Sequence, residues 1–281
     1  MRKKITQIIF GLLGAAVFGL ACSQNPQLPS EKYQPQLVVF GVLAPGSYSL
    51  PQKFLYPTLR YNFLVVQRTL KKNERLILLP MTQAHIFLDS IQLEKVGDFR
   101  QGIYTPQGGE FEATTPIYSF DQKKNPVQAG KTYTVRVTAA GYEPISASTT
   151  VPEKPVILEP TTSTVSLASG RVHVKWKKAA GAAGYRIEIR RSQSIAYIAE
   201  DEEWLDKNTN HYDIFFSDFA PMVGDTLWLD VQAVDQQYVH YFSLREKFFS
   251  ACLTQKDFNV KNGLGVLGSL NQDQKVIVFT Q

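Results

Sequence analysis

Period-two alternation recurs along this chain. Tyr133-Thr134-Val135-Arg136-Val137 sets Tyr133, Val135 and Val137 on one side and Thr134 and Arg136 on the other. Val172-His173-Val174-Lys175-Trp176, Tyr185-Arg186-Ile187-Glu188-Ile189-Arg190 and Leu227–Val234 repeat the device. Successive side chains of a strand point to opposite faces, so each run has one apolar side to bury. Turn residues punctuate the runs: Ala44-Pro45-Gly46 after the apolar stretch Leu37–Leu43, Gly130-Lys131 and Gly141 around Tyr133–Val137, Ala179–Gly184, and Gly224-Asp225. Further candidate strands are Tyr61–Leu70, His85–Leu88, Ile91–Val96 across a polar turn at Asp89-Ser90, Ser146–Val151 and Lys275–Phe279. Little of the chain shows a 3.6-residue apolar period, so the expected class is all-β, built as tandem antiparallel β-sandwiches. Gln236–Leu253 differs: Tyr238, Tyr241, Phe242, Phe248 or Phe249, and Cys252 recur at three- and four-residue steps. That predicts one short C-terminal helix with Arg245, Glu246 and Lys247 toward solvent; a last sandwich strand is the alternative.

The N-terminus has another character. Arg2, Lys3 and Lys4 precede Ile8–Ala21, which is wholly apolar or glycine and too short to span a bilayer. It ends in Gly19-Leu20-Ala21-Cys22, small residues before a cysteine, and so resembles a bacterial lipoprotein signal that is cut before Cys22, leaving Cys22 as the acylated mature N-terminus. Leucine usually stands three positions before the cysteine; here Gly19 does, and an ordinary secretory signal cut near Ala21 is the alternative. Ser23–Gln36, with three prolines, reads as an extended tether. The formal charge of +5 in 281 residues also takes its meaning here: without the three leader cations it falls to +2, which argues against nucleic acid as a partner. Two cysteines, Cys22 and Cys252, exclude a disulfide scaffold and a multi-cysteine zinc site.

The organisation expected is a signal peptide over 1–21, a tether over 22–36, an N-terminal β-sandwich over 37–158, a second sandwich with terminal helix over 159–255, and a glycine-rich turn with closing strand over 256–281. Pro152–Pro160 separates the two bodies. In the second, a tryptophan strand ending at Trp176, a small-residue turn, a Tyr-x-Ile-x-Ile strand (Tyr185–Ile189) and a strand ending Val-x-Ala-Val (Val231–Val234) resemble a fibronectin type III domain, an Ig-like sandwich. Leu227 stands where that fold usually carries its corner tyrosine, and Trp228 faces outward.

Four segments in order strengthen a wider resemblance: Leu37–Leu43, Ala129–Val137, Ala147–Pro152 and Asn262–Gly268. Together they resemble a Bacteroidota lipoprotein family known as domain of unknown function 4249, over about Gln36 to Phe279. Leu267 fills a place usually aromatic there. The resemblance implies a tandem β-sandwich lipoprotein at the outer membrane, a companion of TonB-dependent transporters, with no catalytic residue to carry over.

Few residues stand in patterns that carry chemistry. Gly263-x-Gly265-x-x-Gly268 spells a dinucleotide fingerprint, but too few residues follow for the required helix and acidic partner, so it reads as a turn between sheets. His85, His173, His211 and His240 have no metal-ligand spacing and read as solvent-facing. No Gly-x-Ser-x-Gly elbow occurs, and Cys252 reads as a buried small hydrophobe. The acidic run Glu200–Asp206 lacks the order of a calcium loop and reads as a solvated loop or helix start. Its Trp204, with Glu202 and Glu203, is the candidate partner contact. The expectation is a non-enzymatic protein with no cofactor and no metal site. It would be lipid-anchored to the outer membrane and bind an outer-membrane partner such as a TonB-dependent transporter. A carbohydrate- or peptide-binding module for nutrient capture is the alternative.

Overall fold

The computed structural model describes residues 34–46, 62–69, 79–81, 83–104, 110–193, 197–245 and 258–281. Cys22, Cys252, the leader and most of the tether lie outside them. The described chain is all-β with one short α-helix, and it divides into two compact units. The units interleave in sequence, cutting across the contiguous spans expected at 37–158, 159–255 and 256–281. The first takes the chain to Pro126, Tyr133–Thr149 and His240–Leu267; the second takes Val127–Thr132, Thr150–Val239 and Gly268–Gln281.

The first unit pairs β1 (Leu37–Leu43), β2 (Phe63–Arg68), β7 (Glu110–Ser119) and β6 (Glu94–Tyr104) in that order, with β3 (Leu79–Pro80) beside β2. A second sheet runs β17 (Val260–Lys261), β9 (Ile145–Thr150), β8 (Thr132–Ala139), β4 (Ala84–Leu88) and β5 (Ile91–Gln92). Alternation selects the core: Leu37, Val39 and Leu43; Leu64 and Val66; Ile86 and Leu88; Tyr133, Val135 and Val137; Ile145 and Ala147 are all buried. At the expected turn, Asp89 takes a positive φ of 52° and its Oδ1 accepts from the Thr134 N–H at 2.9 Å.

The second unit is a sandwich of β10 (Val156–Glu159), β12 (Arg171–Lys177) and β15 (His211–Phe215) on one side. The facing sheet orders β14 (Tyr197–Asp206), β13 (Gly184–Gln193), β16 (Thr226–Val234) and β18 (Leu264–Thr280). The short β11 (Thr164–Ser166) runs parallel to the end of β18. Three strands facing four in this order is the fibronectin type III arrangement. Its last strand is residues 268–280 of β18, so the sandwich expected to end at residue 255 is closed from the far end of the chain. Trp176 is 1 % exposed and its ring lies 5.4 Å from that of Tyr185, in a core with Ile187, Leu227, Leu229, Val231, Ile277 and Phe279. Leu227 is fully buried at the corner position and Trp228 is half-buried on the outer side.

Three elements correct or refine the sequence reading. The acidic run is a strand, β14, because its residues pair with all of β13 from Gly184↔Asp206 to Gln193↔Tyr197. Helix α1 (Gln236–Arg245) forms where expected, its N–H at Tyr238 donating to Asp235 Oδ1 at 2.9 Å as an N-cap. The continuation toward Leu253 lies outside the described residues. The glycine-rich close is mostly strand: the turn is confined to Asn262 and Gly263, and β18 begins at Leu264. Gly265 has a φ of +108°, and a Cβ there would lie 1.9 Å from the Val39 carbonyl oxygen, so glycine is required by close backbone approach. A strand follows this motif, not the helix a dinucleotide loop would open.

Candidate functional site

The sheet β14-β13-β16-β18 has its apolar side in the core, so its polar side faces outward. The registers Arg186↔Trp204, Arg186↔Gln232 and Gln232↔Gln272 place Trp204, Arg186, Gln232 and Gln272 in one row across the sheet. The next row is Glu202, Glu188, Asp230 and Gln274. Beyond it Arg190, Trp228 and Val276 are neighbours, and Thr226 and Val278 follow. Three carboxylates thus stand side by side between two arginines.

Most of this grid is out of water. Asp230 is 1 % exposed, Gln232 0 % and Arg190 4 %; Arg186 and Glu188 are also buried. Charges so placed must be paired, and they are. Arg186 Nε donates to Gln232 Oε1 at 2.8 Å, and its terminal nitrogens reach Glu188 at 3.4 Å and Glu202 at 3.5 Å. Gln232 Nε2 donates to Glu188 at 3.1 Å and to Gln272 at 3.2 Å. Arg190 donates to Asp230 Oδ2, while Gln274 donates to Asp230 Oδ1 at 2.7 Å. Arg190 Nε has no hydrogen bond; Glu188 Oε1 stands 3.7 Å from it.

The structure brings two of the three sequence candidates into this grid. The Trp204 ring lies 5.8 Å from that of Tyr238, and the Arg186 guanidinium sits 5.7 Å over Trp204 and 6.0 Å from Tyr238. The tryptophan among carboxylates therefore has cationic and aromatic neighbours within its own unit. Glu202 is exposed and ion-paired to Arg186. Glu203 pairs in register with the core residue Ile187, so it projects from the other side of β14, where it too is exposed. Sequence reasoning missed Arg186, Glu188, Arg190, Asp230 and Gln232. Their outward parity was legible, but their burial was not.

The chemistry available is ionic matching and apolar contact. Past the closed charges the same face opens: Val276 is 41 % and Val278 37 % exposed beside half-buried Trp228. Among the described residues no group of three or more His, Cys, Asp and Glu is placed to hold a metal ion, and no helix is long and apolar enough to cross a membrane.

A family described as "Domain of unknown function (DUF4249)" matches residues 65–276, well over half of the chain and strands of both units. The chain belongs to this family. Membership in DUF4249 agrees with the resemblance carried by the segments at Ala129–Val137 and Asn262–Gly268 and assigns no activity. None of the curated proteins matches the chain. Similar solved structures include a segment of two fibronectin type III domains from chicken tenascin, 13 % identical, covering 62 % of this chain and 85 % of that one at a TM-score of 0.22. A cytokine receptor complex is 8 % identical, covering 76 % and 90 % at 0.25. The fibronectin-like description of this DUF4249 chain's second unit rests on its own strand order.

Proposed function

We propose that the protein is a non-enzymatic lipoprotein, anchored to the outer membrane through acylated Cys22, that holds another outer-membrane protein such as a TonB-dependent transporter. The observation that carries this reading is the open end of the outer sheet face, where exposed Val276 and Val278 and half-buried Trp228 form an apolar strip beside a closed ionic grid. Exposed apolar ground with polar surroundings is what a protein partner buries. The exposed carboxylate of Glu202 on β14, on the same outer face as Trp204, supplies an acidic margin to this contact, whereas Glu203 projects from the other side of the strand. A lipid anchor with a proline-bearing tether supports the reading, because it raises the local concentration of the strip near other membrane proteins.

The test is co-purification from outer membrane solubilised in a gentle detergent. An outer-membrane protein should accompany the wild type, and should be lost from a Val276→Glu, Val278→Glu variant that keeps its unfolding midpoint. Cys22→Ser should leave the membrane fraction. If the wild type migrates alone and crosslinking in cells captures no outer-membrane protein, the reading falls and carbohydrate or peptide binding takes its place.

A further inference from the structure

The other sheet of the second unit brings together two histidines that lie far apart in sequence. β12 and β15 are antiparallel, with His173 opposite Asp213 and Lys175 opposite His211. Because Val172, Val174 and Trp176 point into the core, His173 points outward, and His211 is exposed at its diagonal neighbour. The two imidazole centroids are 6.1 Å apart with 33° between the ring planes.

Both rings have one nitrogen engaged. His173 Nδ1 lies 2.7 Å from Asp213 Oδ1, and His211 Nδ1 lies 3.4 Å from Asn210 Oδ1. A neutral imidazole that donates from Nδ1 carries its lone pair on Nε2. A carboxylate holding the far nitrogen is the arrangement found behind metal-ligating histidines, where it fixes the tautomer and raises ligand basicity. The centroid separation lies within reach of one shared ion. An imidazole nitrogen sits about 2.0–2.1 Å from a bound transition metal, which puts the ring centroid about 3.2 Å away. Two such centroids are about 5.2 Å apart at a tetrahedral angle and about 6.4 Å apart when opposite. The observed 6.1 Å falls between these limits. The neighbouring cations are matched by carboxylates: Arg171 reaches Asp213 at 3.2 Å and Lys175 reaches Glu159 at 3.8 Å.

We propose that His173 and His211 form a two-imidazole, solvent-open site for a divalent transition-metal ion, with Asp213 orienting His173 and water completing the shell. Imidazole pairs favour Cu²⁺ over Ni²⁺ and Zn²⁺, and leave Ca²⁺ and Mg²⁺ to oxygen ligands. The site is independent of the partner-holding reading, since it lies on the opposite sheet.

The test titrates Cu²⁺ into the full-length chain in detergent, read by calorimetry and by electron paramagnetic resonance. One saturable site is expected, with hyperfine splitting from two imidazole nitrogens. His211→Ala, at an exposed position that leaves the fold intact, should remove one nitrogen from the spectrum and weaken binding at least about tenfold; Asp213→Ala should weaken it about 10–100-fold with both nitrogens retained. His85→Ala and His240→Ala should bind as wild type. Binding unchanged in His211→Ala, or lost in the His85 or His240 variant instead, or a spectrum without imidazole nitrogen, would overturn the assignment.

Discussion

The outer faces of the two sheets in the second unit are written alike and end in different surroundings. β12 sets Arg171, His173, Lys175 and Lys177 on its outer side; β13 sets Arg186, Glu188 and Arg190 on its own. In the first case the side chains stay in water: Arg171 is 52 % and His173 40 % exposed at the side chain. In the second the arginines are 5–11 % exposed, and Glu188 and Asp230 beside them are no freer. The difference lies in the neighbours. Both strands are flanked on each side, β12 by β10 and β15, but around β13 the strands β14 and β16 bring Glu202, Asp230 and Gln232 into adjoining register with Glu188, so each arginine finds several acceptors within the sheet. Alternation therefore tells which side of a strand is polar. Whether that side is wet depends on what adjoins it.

Substitutions sharpen this contrast, and the shared core sets the scale. Trp176→Ala should lower stability by about 3–5 kcal/mol, the range for emptying an aromatic core position, read from urea unfolding followed by circular dichroism. Asp230→Ala should come next. It leaves Arg190 buried with its nearest remaining carboxylate, Glu188, at 3.7 Å, and breaking such a pair costs about 3 kcal/mol. Replacing both partners, as Arg190→Met with Asp230→Leu, should return the unfolding free energy to within about 1 kcal/mol of wild type, since a well-packed apolar pair removes the uncompensated charge. If the double variant is no better than the single, the grid is not a matched ionic pair system.

Tyr185→Phe is expected to cost about 1 kcal/mol near neutral pH, because the Ala179 N–H donates to its hydroxyl at 2.8 Å. Its pH dependence has a definite sign. Burial raises the Tyr185 phenol above 10.0, opposed in part by the Ala179 amide and Trp176. Above that pH the unfolded chain loses the proton first, so stability is held below it and lost as pH climbs toward the folded value. Urea midpoints measured across this alkaline range should fall less steeply in Tyr185→Phe than in wild type. The smallest effect belongs to the wet face: Asp213→Ala should change stability by less than about 1 kcal/mol, as exposed ion pairs do. Equal losses for Asp213→Ala and Asp230→Ala would erase the contrast between the sheets.

Much of the architecture was legible because it rests on local pattern. Trp176, Tyr185, Leu227 and the β8 residues fell on the buried side that their parity predicts. What escaped was set by pairing. The strand β14 hides in a run of acids that looks solvated until Arg186 and Glu188 are laid opposite Trp204 and Glu202. His173 and His211 share no spacing in sequence and meet only through the register of β12 with β15. In β7, Thr114, Thr115 and Pro116 interrupt any apolar alternation, so its long pairing with β6 left no periodic mark. Glycine in β18 reads as a turn by composition, yet Gly265 is there to let two backbones approach. Of the candidate site, Trp204 and Glu202 were visible as residues, whereas the arginines that organise them were not.

The claim that the outer face of the β18 sheet holds a partner is tested most directly by photo-crosslinking in living cells. A photoreactive residue is placed at Val278 on that face in one strain and at Lys177 on the opposite sheet in another. Both sites are exposed, so labelling is comparable. A discrete adduct with an outer-membrane protein from position 278, and none from position 177, is the predicted result. An adduct from 177 alone, or no adduct from either while the protein remains membrane-bound, would contradict it.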